Sequence, residues 1–134
     1  MKRVVCIAVV LLVAAVVRAE RPPESREEAD LVVTGKVTKL ATKKKGFGGD
    51  GVMTTYTATV KVDKVEKGKA KPGDAISVTW FHVTKTPSKA FPGAYGQDHK
   101  VKQKDEATFW LMKNGKDNWS VIYNDKGVEK KAKE

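Results

Sequence analysis

Over residues 56–62 the chain reads Tyr-Thr-Ala-Thr-Val-Lys-Val, with Tyr56, Ala58, Val60 and Val62 on one side of the alternation and Thr57, Thr59 and Lys61 on the other. Successive side chains of an extended strand point to opposite faces, so a strict period of two buries one face and wets the other. An α-helix, with its period near 3.6, cannot satisfy that pattern. The run belongs to a predicted strand over residues 53–65, and four more segments share its period. Residues 31–40 place Val33, Gly35 and Val37 in phase, and residues 75–83 set Ile76, Val78 and Trp80 against Ser77, Thr79 and Phe81. Residues 107–113 carry Phe109 and Leu111 in phase, and residues 119–124 carry Trp119, Val121 and Tyr123. Lys67-Gly68, Pro72-Gly73-Asp74 and Asn114-Gly115 supply turns between them. Short antiparallel strands with no substantial helix predict a mostly β fold. A five-stranded OB-like barrel is the leading architecture, because closure removes exposed sheet edges. A two-sheet sandwich and an SH3-like barrel fit the same strands, since strand order is not written in the pattern. Ser25 and Glu28 stand in the relation of a capping box, which predicts a short N-terminal helix over residues 25–29.

The first nineteen residues are a different kind of segment. Lys2 and Arg3 precede an apolar run over residues 4–17, and Val17-Arg18-Ala19 sets small residues three and one before a cleavage point, the signature of a secretory signal. Arg18 ends the run short of the roughly 20 residues that a membrane span needs. Cleavage after Ala19 is therefore expected, giving an exported chain, periplasmic or secreted, that starts at Glu20 and has no transmembrane span. The sole cysteine, Cys6, lies in the signal, so the mature core must hold without disulfides. Residues 20–125 suit a single domain, with residues 126–134 as a charged C-terminal tail. The whole chain carries a formal charge of +10; removing Lys2, Arg3 and Arg18 takes Lys plus Arg from 26 to 23 against 16 acidic residues, or +7. An exported basic domain of this kind suits anionic partners such as polysaccharide, lipid headgroups or extracellular nucleic acid, although the same charge also serves solubility.

Taken together, Ala29-Asp30-Leu31-Val32-Val33 with Gly35 and Val37, Tyr56-x-Ala58-x-Val60-x-Val62, Lys64-Val65-Glu66-Lys67-Gly68, Pro72-Gly73-Asp74-x-Ile76-x-Val78 and Phe109-Trp110-Leu111 form a wider pattern. It resembles the small exported bacterial proteins similar to the netrin-like module and the N-terminal domain of tissue inhibitors of metalloproteinases. That resemblance implies an OB-type five-stranded barrel over about residues 29–123. It does not carry over inhibition of zinc proteases by their mechanism, because those inhibitors chelate zinc through an N-terminal cysteine and the expected mature N-terminus here is Glu20. A protein-interaction or inhibitor-like module using an apolar outer face of the barrel is the alternative to a polymer-binding one.

Residues 43–51, Lys-Lys-Lys-Gly-Phe-Gly-Gly-Asp-Gly, match the dinucleotide-binding string G-x-G-x-x-G through Gly46, Gly48 and Gly51. That string works only when a helix follows and offers its free N–H groups to the pyrophosphate. Here a Thr- and Val-rich strand follows, so no dinucleotide cofactor is expected and the stretch is read as a flexible connection between strands 1 and 2. On an OB-like barrel that connection borders the binding face across strands 2 and 3. Lys43, Lys44 and Lys45, with Lys61 on the outer face of strand 2, then form a candidate polyanion site in which Phe47 stacks on a base or sugar. A second candidate comes from the out-of-phase residues Phe81, Val83, Trp110, Met112 and Ile122, which should form one apolar patch outside the barrel. Such a patch is either a second small core, beneath the N-terminal helix or the connection over residues 84–106 with its Phe91 and Tyr95, or a protein-interaction surface. His82 and His99 alone make no zinc signature. No serine sits in a G-x-S-x-G setting, and Asp98-His99 is the one close carboxylate–imidazole pair. A non-enzymatic binding module with no cofactor and no metal is the expectation.

Overall fold

The computed structural model describes residues 22–89 and 93–132. The segment expected to be a signal, residues 1–19, and Phe91 lie outside the described residues. Six strands follow a single N-terminal turn: β1 (Leu31–Phe47), β2 (Gly51–Lys67), β3 (Ala75–Lys85), β4 (Glu106–Lys113), β5 (Asn118–Val121) and β6 (Val128–Lys130). They join in the order β1-β2-β3-β5-β4, and β1 pairs again with β4, so the sheet closes into a ring. All these pairings are antiparallel except β3 with β5, which run parallel, so the expected all-antiparallel sheet is corrected at one seam. Among the described residues no helix is long and apolar enough to cross a membrane.

Strand β1 closes the ring by working on both of its edges. Over Leu31–Lys36 it pairs with β4, while its other edge pairs with β2 along its whole length from Val32. Three register shifts, at Val32/Val33, Thr34/Gly35 and Val37/Lys39, break the β1–β2 ladder. Each such irregularity bends a strand and adds twist, which closure requires. Inside the ring, Val33, Val37, Ala58, Val60, Val78, Phe109 and Leu111 are fully buried, and Trp80, Val101 and Val121 nearly so. The in-phase residues of the first four segments, with Trp119 and Val121 of the fifth, thus meet in one core as the alternation predicts, whereas Tyr123, expected in phase with them, leaves the strand after Val121 and stacks on Phe81 instead.

Two peripheral segments differ from expectation. The Ser25–Glu28 capping box forms, with the Glu27 N–H donating to Ser25 Oγ at 3.2 Å and the Ser25 N–H donating to Glu28 Oε2 at 2.7 Å. It caps only one 3-10 turn, Arg26–Glu28, rather than a helix. The chain is pulled into the sheet at once, because the Asp30 N–H donates to the Leu111 carbonyl at 2.8 Å and Asp30 Oδ2 accepts the Lys113 N–H at 3.1 Å. The expected tail is also partly strand: Val128 pairs with Phe109 and packs on the core, and the Lys131 N–H donates to the Glu106 carbonyl.

The long connection between β3 and β4 is bonded to the ring. The Val83 N–H donates to Tyr95, the Gln97 N–H donates to Phe81, and Gly96 bridges His82, so residues 95–97 extend the β3 edge beyond β5. Gly96 has φ of 71°, and any Cβ there would overlap the Phe81 carbonyl oxygen, so this docking requires glycine. The chain then crosses to β1, places Val101 in the core, and bonds Val37 through Lys104 and Asp105.

Candidate binding surface

The lysine-rich stretch lies in a strand, and this corrects its placement on a loop. Lys43, Lys44 and Lys45 pair with Thr55, Thr54 and Met53, and Phe47 pairs with Gly51. Only Gly48, Gly49 and Asp50 are left to turn the chain, with φ of 58° and 90° at the two glycines, a region that glycine occupies without strain. The Asp50 carboxylate then accepts both the backbone N–H and the hydroxyl of Ser88. Those two bonds hold its pKa below the ordinary carboxylate value.

The register decides which way each lysine points. Val37 faces the core opposite Val60, but the shift between Val37 and Lys39 leaves Thr38 without a counterpart and reverses the phase of everything after it. Beyond it, Leu40, Thr42 and Lys44 share the inner face with their partners Ala58, Tyr56 and Thr54. Lys39, Lys43, Lys45 and Phe47 share the outer face with Thr59, Thr55, Met53 and Gly51. Lys61, paired with Lys36 and Ala75, is on that outer face as well. The expected site is therefore split, with Lys44 on the side away from the other three lysines.

Between these lysines the outer face is floored by hydroxyls. Thr55, Thr57 and Thr59 of β2 stand opposite Phe81, Thr79 and Ser77 of β3, and Thr79 stands opposite Ser120 of β5. Asn114 Nδ2 donates to Ser120 Oγ at 2.8 Å, which ties the β4–β5 turn to this floor. A groove of about 380 Å³ opens beside it, lined by Met53, Phe81, Gln97, Asn114, Ser120 and Tyr123. Among the described residues no carboxylate lies within ion-pair distance of Lys43, Lys44, Lys45 or Lys61. Phe47 is half-buried, and a Cβ on Gly51 would stand 3.0 Å from both the Phe47 ring and Pro87, so glycine there makes room for the ring against the hairpin. Phe47 stays on the outer face with Lys43 and Lys45, half-buried rather than fully open.

The five out-of-phase apolar residues are largely covered. Ile122 is 1% exposed and packs with Ala29 and Val32, while Trp110 and Met112 are half-buried against that same cluster. The Arg26 guanidinium lies 3.7 Å from the centre of the Trp110 ring, and Arg26 Nε donates to the Lys126 carbonyl. Phe81 stacks on Tyr123 at 6.1 Å, and Val83 is 7% exposed beside the Tyr95 backbone. The N-terminal turn thus gathers Trp110, Met112 and Ile122 into a second small core with Ala29 and Val32, while Phe81 and Val83 lie apart from it beside the residue 95–97 segment, so the expected single patch is divided. Asp98 and His99 form no hydrogen-bonded pair: Asp98 Oδ1 accepts the Lys100 N–H, whereas His99 is buried edge-on to Trp80 and feels Asp98 only through its charge. No group of three or more metal-ligating side chains occurs among the described residues.

Sequence reasoning missed Lys39, Ser120, Asn114 and Gln97 as neighbours of this face. The outward threonines of β2 and β3 were visible in the alternation, but the phase reversal at Thr38 had no signal in the residues themselves. Compared with known proteins, the chain matches no family model, no curated protein and no solved structure.

Proposed function

We propose that this chain is an exported, non-enzymatic binding module built on an OB-like barrel, and that it binds an anionic polymer, polysaccharide or nucleic acid, across the outer face of β1, β2 and β3. Export rests on the basic, apolar and small-residue succession of residues 2–19. The barrel reading is supported by the closed β1-β2-β3-β5-β4 order, which also agrees with the resemblance to the netrin-like module. The observation that carries the binding reading is the shared outer face of Lys39, Lys43, Lys45 and Lys61 around a threonine and serine floor. Lysines supply the charge that releases counterions from a polyanion, and hydroxyls and the Asn114 and Gln97 amides supply hydrogen bonds to sugars, phosphates or sulfates.

The test is binding of a heparin-like sulfated polysaccharide and, separately, of a single-stranded oligonucleotide to the mature protein across a salt series. Each phosphate that a lysine neutralises on a single strand adds about 0.7 to the salt slope, so replacing Lys43, Lys45 and Lys61 together by alanine should lower that slope by about 2. The stronger of the two ligands identifies the polymer. Salt-independent binding, or an unchanged slope in a triple variant that stays folded, refutes the proposal.

A further inference from the structure

The polymer reading uses the face of the β1–β2 hairpin, but the hairpin also has an edge. Pairing of β1 with β4 stops at Lys36. The next groups are still occupied: the Val37 N–H donates to Asp105, the Val37 carbonyl accepts the Lys104 N–H, and the Thr38 carbonyl accepts Gln103 Nε2 at 3.1 Å. Over residues 39–47 β1 has β2 on one side and no strand on the other among the described residues. In an antiparallel ladder, alternate residues direct N–H and C=O away from the partner strand, so this run is a regular row of outward donors and acceptors. It is also firmly backed, because β2 pairs with β3 on its far side from Val52 to Lys61. The edge belongs to a three-stranded sheet and is preformed.

We propose that this edge accepts an extended acidic peptide segment of another protein as an added strand. Main-chain hydrogen bonds would supply the affinity, as in other cases of strand addition, and the side chains the choice of partner. Residues of an added strand alternate between both faces of the sheet. Carboxylates on one set meet Lys39, Lys43 and Lys45, and a carboxylate on the other set meets Lys44. The lysines disfavour a second copy of this chain, because most edge-to-edge registers would set lysine against lysine, and like charges directly opposite destabilise a sheet. A polymer lying across the outer face has no use for Lys44, which makes that residue the discriminator between the edge and the face.

The experiment uses the mature protein and a short synthetic peptide alternating Glu with Thr and Val, followed by NMR titration and amide hydrogen exchange. Binding should slow exchange of amides within residues 39–47. Methylating the peptide's backbone nitrogens on one alternate set should weaken binding tenfold or more, and methylating the other set should leave it, since only one set faces the edge. Lys44→Glu should weaken the peptide about as much as Lys43→Glu, while sulfated polysaccharide binding falls with Lys43→Glu only. If both methylated peptides bind like the parent, or Lys44→Glu spares the peptide, the peptide is merely another polyanion on the outer face and strand addition is wrong. Loss of polysaccharide binding alone would overturn the polymer reading and leave this one standing.

Discussion

Acidification from pH 7.5 to 5 should destabilise this protein through one side chain, His99. The ring is 8% exposed and stands edge-on to Trp80, with 5.9 Å between ring centres and 73° between planes, and Trp80 in turn stacks on Tyr56 at 5.3 Å. Neither ring nitrogen has a hydrogen-bond partner among the described residues. Burial lowers the His99 pKa to about 4 from 6.5; Asp98 and Asp125 oppose that shift and His82 adds to it. In the unfolded chain the imidazole takes up its proton near pH 6.5, and in the folded chain only near 4. Between those values the unfolded state holds more protons, so the stability present above 6.5 is lost as pH falls, fully so below about 4. At about 1.4 kcal/mol per pKa unit the complete penalty is about 3 kcal/mol, of which about 2 kcal/mol is felt by pH 5. A small domain has only about 5–15 kcal/mol in hand, so this loss is readily measured. Urea unfolding of the wild type and of His99→Leu at both pH values isolates the effect, because every other titrating group is common to the two proteins. The variant should match or exceed the wild type at pH 7.5, since it buries no unpartnered polar atom, and should lose about 2 kcal/mol less on acidification. Parallel pH profiles for the two proteins would refute the reasoning.

Two further perturbations test the core and the docked connection. Phe109 is fully buried opposite Val33 and Val128; Phe109→Ala should cost about 3–5 kcal/mol in denaturant unfolding, the range for deleting a buried aromatic ring. Gly96→Ala combines a φ that L residues rarely adopt with overlap on the Phe81 carbonyl oxygen, so it should release residues 86–105 to limited proteolysis while the ring's far-ultraviolet circular dichroism persists.

The inward phase was legible wherever one face of a strand is apolar and the other polar. Ala58, Val60, Val62, Val78, Trp80, Phe109 and Leu111 are all buried as the alternation predicts. Legibility failed where that contrast disappears. From Ala41 to Gly46 every residue of β1 is exposed on both faces, so the apolar period vanishes although the ladder to β2 continues, and the segment reads as a loop. Lysine is also a weak strand former, so propensity gave the same wrong answer. The unpaired Thr38 decides the outward set, yet a threonine in a bulge looks like any threonine in a strand. Strand β6 was hidden for a related reason: Val128 is its one apolar anchor, between glycine and charged residues. The parallel pairing of β3 with β5 is a property of how the ring closes, and no local pattern encodes it.

The two halves of β1 follow different rules because they have different numbers of neighbours. Between β2 and β4, Leu31, Val33 and Val37 are fully buried and the backbone is bonded on both edges. Past Thr38 the strand has one neighbour, and lysines take over. Lysines on an open edge keep like edges apart, which is a sufficient reason for their presence in many sheets. It is not a sufficient reason here. An edge that is only a liability is usually kept short, and this one is prolonged to a three-residue turn, buttressed by Ser88 on Asp50 and by a packed Phe47, with lysine on both faces. Ordering that much exposed backbone costs conformational entropy that no burial of lysine repays. The extension therefore argues for a use, and its geometry offers two that can be separated experimentally: the outer face through Lys43 and Lys45, and the edge through Lys44.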